Sequence, residues 1–64
     1  MRVNGAGISL NGACTLKAFL EREGYVTGRI AVEKNGEIIP KALYEFEPLT
    51  ENDRLEIVSF VGGG

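Results

Sequence analysis

Only one stretch of the chain repeats its apolar residues at helical spacing. In "CTLKAFLEREG", Cys14 to Gly24, the side chains of Leu16, Phe19 and Leu20 fall at i, i+3 and i+4 and share one helix face. Thr15 suits the N-cap, where its hydroxyl can accept a hydrogen bond from an unpaired amide of the first turn. Cys14 just before it and Phe19 at the fourth helical position have the spacing of a hydrophobic staple. Gly24 can adopt the left-handed conformation that closes a helix, so the pattern predicts a helix over Leu16 to Glu23. A single amphipathic helix must bury its stripe against something else, and the rest of the chain offers strands.

Met1 and Val3 alternate with polar neighbours, and "GAG", Gly5 to Gly7, permits a reversal. Ile8 and Leu10 alternate around Ser9 as the returning strand of a first hairpin. After the helix, Ile30 and Val32 point one way and Arg29, Ala31 and Glu33 the other, the pattern of a half-buried strand. Asn35-Gly36 is the strongest short-range hairpin signal in the chain, with Glu37 to Ile39 pairing back until Pro40 removes a donor. Lys41 to Arg54 is irregular, with room for a helical turn near Ala42 to Tyr44, and Pro48 argues against a longer one. The last strand is predicted over Arg54 to Val61. It turns Leu55, Ile57 and Ser59 to one face and Glu56, Val58 and Phe60 to the other. One helix across a mixed sheet buries these faces together, which is an α+β fold.

With 64 residues the core is thin, and one domain is expected. No run approaches the ~20 apolar residues that span a bilayer, and the N-terminus lacks the pattern of a signal peptide. These features predict a cytoplasmic protein with no membrane partner. The net charge of −2 and the scattered seven Lys and Arg argue against nucleic acid. A single cysteine, Cys14, excludes an internal disulfide framework and a multi-cysteine metal site.

Catalytic groups are sparse. The absence of histidine removes the commonest general base and metal ligand. Ser9 and Ser59 have no base at recognisable spacing to activate them. "GAGISLNG" fails as a dinucleotide fingerprint, because the third glycine position falls on Leu10 and no helix follows directly. Glu45 and Glu47 flank Phe46 and, in an extended segment, face the same side and could share a proton or ion, while Glu21 and Glu23 sit late in the helix. Solvated charge is the simpler reading for both pairs in so small a fold. Cys14 near a helix N-terminus can favour its thiolate, although a small buried hydrophobe explains it better. The reading is of a protein that is not itself an enzyme, with no catalytic residues, no metal site and no bound cofactor.

The chain ends in "VSFVGGG", Val58 to Gly64. Glycine has no Cβ, so Gly62 to Gly64 can take almost any backbone angles and pass through a channel too narrow for other residues. Ordering them on binding costs entropy. A sterically minimal arm with a carboxylate at its tip suits delivery of that carboxylate into another protein's active site, after activation such as adenylation. A frayed terminus is the plain alternative. Val58 and Phe60 share a face at the root of the arm, where a partner can dock, unless the 41–53 segment covers them.

The chain resembles the thiamine-biosynthesis sulfur carriers, the ThiS family. The likeness runs through Val3 to Gly5 ("VNG"), Thr15 and Leu16, "IAVEKNGEIIP" from Ile30 to Pro40, an aromatic at Tyr44, and "NDRLEIVSFVGGG" from Asn52 to Gly64. Asn52 departs from the glycine that members often carry there, and asparagine also tolerates left-handed angles. The resemblance implies a ubiquitin-like β-grasp domain over 1–61, with first and last strands adjacent and parallel, and a tail over 62–64. It implies that an E1-like adenylyltransferase, using its own ATP and Mg²⁺, adenylates the Gly64 carboxylate. Sulfur from a persulfide-bearing donor enzyme would then leave a thiocarboxylate on Gly64, for transfer to thiazole synthase. Gly62 and Gly63 would be spacers, and Val58, Phe60 and Val61 the docking surface. A molybdopterin synthase small subunit, a ubiquitin-like modifier and a passive β-grasp interaction module remain as alternatives.

Overall fold

The computed structural model describes residues 1–12 and 14–60. Seven strands and one helix follow the order β1 (Arg2–Val3), β2 (Ala6–Gly7), β3 (Cys14–Thr15), α1 (Leu16–Arg22), β4 (Ile30–Lys34), β5 (Glu37–Ile38), β6 (Pro48–Leu49) and β7 (Arg54–Ser59). Five of the strands form one sheet in the order β2-β1-β7-β4-β5. β7 lies at its centre, parallel to β1 and antiparallel to β4. β3 and β6 pair separately, Cys14 opposite Leu49. This is a mixed sheet grasping one helix, the β-grasp arrangement.

The helix forms as its caps dictate. The Thr15 hydroxyl accepts from the Ala18 amide at 3.2 Å. At the other end Gly24 sits at φ +85, its N–H bonded to the Glu21 carbonyl, while Tyr25 donates to Leu20. That pair of bonds is a Schellman motif. The helix stops at Arg22, with Glu23 as its cap. Arg22 then reaches back to the Leu10 and Ser9 carbonyls at 2.9 and 3.0 Å, its guanidinium 5.3 Å from the Phe19 ring centroid.

Leu16, Phe19 and Leu20 bury their shared face against Ile30, Val32, Leu55 and Ile57 of the sheet, with Val3, Leu10, Tyr44 and Leu49 closing the sides. Cys14 is half-buried against this cluster, its backbone paired to β6. The β3–β6 pair has no counterpart in the sequence reading, because two-residue strands carry too few positions to show a period.

The first hairpin differs from expectation. Its loop is Asn4-Gly5, at φ +51 and +86, and Arg2 pairs with Gly7 and Val3 with Ala6. Both central residues in left-handed angles make a type I′ turn, whose twist matches the flanking strands. The returning strand is therefore Ala6–Gly7, and Ile8 and Leu10 lie beyond it, Leu10 buried in the core. Asn35-Gly36 forms the same turn at φ +53 and +88. A 3₁₀ turn occupies Lys41–Leu43, close to the anticipated helical turn, and a second one precedes β4 at Thr27–Arg29. The last strand ends at Ser59 rather than Val61, although the Phe60 N–H still bonds the Arg29 carbonyl at 2.7 Å. Val61 and Gly62 to Gly64 lie outside the described residues.

A polar clasp ties the second hairpin to the loop before β7. Lys34 donates to Glu47 at 2.7 Å and to the Pro48 carbonyl at 2.8 Å, with Asp53 at 3.9 Å. Asp53 accepts from the Asn35 amide at 2.9 Å and from the Thr50 N–H at 2.8 Å. Asn35 also accepts from the Arg54 N–H at 3.0 Å. Partial burial pushes the Asp53 carboxyl up, but the bonds from Asn35 and Thr50 and the Lys34 charge outweigh it, so the net shift is below the ordinary 3.8.

Two outcomes are expected of this packing. Phe19→Ala should cost about 3–5 kcal/mol through the cavity it leaves. That is comparable to the whole stability of about 3–5 kcal/mol that so small a core supplies, so circular dichroism should find the variant largely unfolded. A lowered folded pKa means that Asp53 stabilises fully above its ordinary value and that this contribution is lost as pH falls through the folded value. Urea midpoints should accordingly fall on acidification, and Asp53→Asn should flatten that acid limb while lowering the neutral plateau.

Candidate functional site

The exit of β7 is where the sequence placed the partner-facing residues. Its pleat turns Leu55 and Ile57 into the core and leaves Arg54, Glu56 and Val58 on the face away from the helix. Val58 is 59% exposed and Phe60 52% exposed. The 41–53 segment therefore does not cover them; it packs Tyr44 and Leu49 into the core instead. Cross-strand register puts Ala31 opposite Val58, Glu33 opposite Glu56, and Ile38 opposite Glu33. The outer face thus offers an apolar strip of Phe60, Val58 and Ala31, with Ile38 (75% exposed) farther across and two glutamates beside it. Val61, Gly62, Gly63 and Gly64 continue from this root and are outside the described residues.

What holds the exit in place is a side chain. Asn4 donates its main-chain N–H to the Leu55 carbonyl at 2.9 Å. Its side-chain amide then accepts from the Ile57 N–H at 2.7 Å and donates to the Ile57 carbonyl at 3.1 Å. β1 is two residues long, yet through this amide its hold on β7 reaches one pleat farther. Sequence reading missed that role. The Asn4-Gly5 dipeptide was a visible turn signal, but a bond between residues 53 apart leaves no local trace.

Other candidate groups separate. Glu47 pairs with Lys34, and Glu45 lies 4.0 Å from Lys17, so these two carboxylates answer to different cations. Glu23 pairs with Arg22 at 3.3 Å. Ser9 donates to Asn11 at 3.1 Å and to the Glu51 carboxylate at 3.4 Å on the exposed surface. The Leu10 N–H and the N-terminus hold that carboxyl below its ordinary pKa, which makes it a poor base. An open depression of about 320 Å³ lies between Lys17, Thr27, Gly28, Lys41, Ala42, Tyr44 and Glu45, and its Gly28 adjoins Arg29, whose carbonyl accepts from the Phe60 N–H. Burial raises the Tyr44 hydroxyl's pKa, partly offset by a backbone bond from Val32, so it stays protonated at neutral pH. Among the described residues no group of three His, Cys, Asp or Glu is placed to hold a metal ion, and no helix is long and apolar enough to cross a membrane. Among the described residues the geometry presents an exposed surface at the end of β7 rather than a reaction chamber.

Asn4→Ala should strand the half-buried Ile57 amide and carbonyl, and it forces alanine into a left-handed angle; the two together should cost about 1–3 kcal/mol. Asn4→Gly relieves the angle and not the lost bonds, so comparing their urea midpoints separates the terms. Val58→Ser and Phe60→Ser should stay within about 0.5 kcal/mol of the unmodified chain, since neither side chain is buried.

The model of the ThiS family matches residues 1–64. The chain is similar to a thiazole synthase of Paramagnetospirillum magneticum, with 39% identity over 62 residues, covering 97% of this chain and 19% of that protein. It is also similar to a thiazole synthase of Magnetococcus marinus, with 31% identity over 64 residues, covering 100% of this chain and 20% of that protein. The chain thus spans about a fifth of the length of these curated relatives. Among solved structures, the thiamine biosynthesis protein ThiS of Geobacter metallireducens superposes with a TM-score of 0.82 at 24% identity, covering 98% of this chain and 96% of that one.

Proposed function

Because the chain belongs to the ThiS family, we propose that it is a sulfur carrier for building the thiazole ring of thiamine, with Gly64 bearing the sulfur. The observation that carries this reading is the family match over all of 1–64, glycine run included. The exposed Val58 and Phe60 at the root of that run support it.

In this reading an E1-like adenylyltransferase, holding ATP and Mg²⁺, lets a Gly64 carboxylate oxygen attack the α-phosphorus and expel pyrophosphate. The acyl-adenylate supplies the electrophile that a bare carboxylate lacks. A donor enzyme's persulfide sulfur attacks the carbonyl carbon and expels AMP, and a thiol cleaves the resulting acyl disulfide to leave the thiocarboxylate. Thiazole synthase then accepts the sulfur. Two of the relatives carry that name on proteins about five times the length of this chain, which supports it as the partner. Gly62 and Gly63 act as spacers, since only residues without side chains fit a narrow channel. Val58, Phe60 and Val61 dock the partner through apolar contact, with Glu33 and Glu56 favouring a basic rim on the other side. The chemistry takes place in the cytoplasm, in enzymes other than this chain.

Intact-mass analysis checks the reading. With ATP, an E1-like activating enzyme and a persulfide donor, the chain should gain the mass difference between sulfur and oxygen, localised to the terminal peptide. Deleting Gly64 should abolish the gain and leave the circular dichroism spectrum unchanged. No gain under conditions that load a known carrier would refute the proposal, and loading of the truncated chain would refute Gly64. A loaded chain accepted by molybdopterin synthase and refused by thiazole synthase would reassign the pathway.

A further inference from the structure

β7 is central for most of its length and becomes an edge at its end. Its pairing with β4 continues to Ser59 opposite Ile30, and the Phe60 N–H bonds the Arg29 carbonyl at 2.7 Å. On the other side, strand pairing with β1 stops at Val3 opposite Leu55, and the Asn4 amide extends it only to Ile57. Alternation along an antiparallel ladder then fixes where the next groups point. Phe60 faces β4, so the N–H and C=O of Ser59 face the side that β1 has vacated. Among the described residues neither group has a hydrogen-bond partner, and Ser59 is exposed. The chain turns away there through Gly5, where an added Cβ would meet no heavy atom within 4 Å.

Resting on the carrier reading above, we propose that this open edge at Ser59 receives an extended strand of the adenylating partner, which adds to the sheet in line with β1. The glycine run a few residues beyond Ser59 favours that occupant. Three successive glycines present no side chains, so a protein that acts on Gly64 can recognise them only by shape and through main-chain groups. A strand anchored on Ser59 fixes, through main-chain bonds alone, the direction in which the chain leaves the sheet. Apolar contact at Val58 and Phe60 then sets which face of the sheet the partner covers, and the Ser59 bonds set the direction of the arm. Asn4 acts as a positioning residue: its amide ends the internal pairing one pleat before the docking edge.

The test replaces the Val58–Ser59 amide by an ester in a chemically synthesised 64-residue chain. This removes the Ser59 N–H and keeps every side chain. The free chain should melt only slightly lower, because the Ser59 N–H has no internal partner among the described residues and the one internal cost is the weaker acceptor that an ester makes of the Val58 carbonyl facing β4. With an E1-like adenylating enzyme, ATP and Mg²⁺, KM for the carrier should rise about three- to tenfold, the loss of one main-chain hydrogen bond, with kcat little altered. Should the ester disturb the fold, hydrogen exchange on the unmodified chain decides: the Ser59 amide should exchange quickly alone and become protected in the complex. Native and ester chains loading with the same KM, or a Ser59 amide that still exchanges freely in the complex, would overturn the added strand alone. An unmodified chain that is never adenylated would overturn it together with the carrier reading.

Discussion

The structure depends on β7 being held from both sides while half of its side chains are buried. Leu55 and Ile57 are the sheet's contribution to the centre of the core, and each sits on a backbone segment bonded to β4 on one flank and to β1 or Asn4 on the other. Shifting β7 by one residue would turn Glu56 and Val58 inward and expel both core residues, so the register admits little choice. The helix needs that surface, since Leu16, Phe19 and Leu20 have nothing else of comparable size to cover them. The exposed apolar face follows from the same constraint, because the pleat that buries Ile57 is the one that turns Val58 outward.

How much of this was legible in the chain depended on the range of the interactions. The helix was readable nearly to the residue, because a threonine hydroxyl and a glycine at a left-handed angle are local devices. So was the alternation along β7, whose outward Val58 follows from counting by two. The first hairpin was misplaced because three residues including two glycines drew the turn to Gly5–Gly7, although Asn4-Gly5 carried the same signal as Asn35-Gly36. The β3–β6 pair and the Lys34–Asp53–Asn35 clasp could not be read, since both join segments that only the finished fold brings together.

At the candidate site the split is similar. Periodicity set Val58 and Phe60 opposite the core face, but whether the 41–53 segment covered them was left open until the fold showed both exposed. The main-chain edge at Ser59 was hidden, because whether a strand has a neighbour at a given pleat is a property of another strand's length. β1 ends early only because its successor turns at Asn4-Gly5, and nothing near residue 59 announces that.

The bonding of β7 along both flanks also bears on how the molecule withstands force. Tension applied along the axis of β7 loads the bonds to β4 and β1 together in shear instead of peeling them one after another. The Asn4 amide adds two more bonds close to the point of loading. A pull on Ser59 along β7 would therefore act on a segment bonded on both flanks, and the small globule would move as a whole before it came apart.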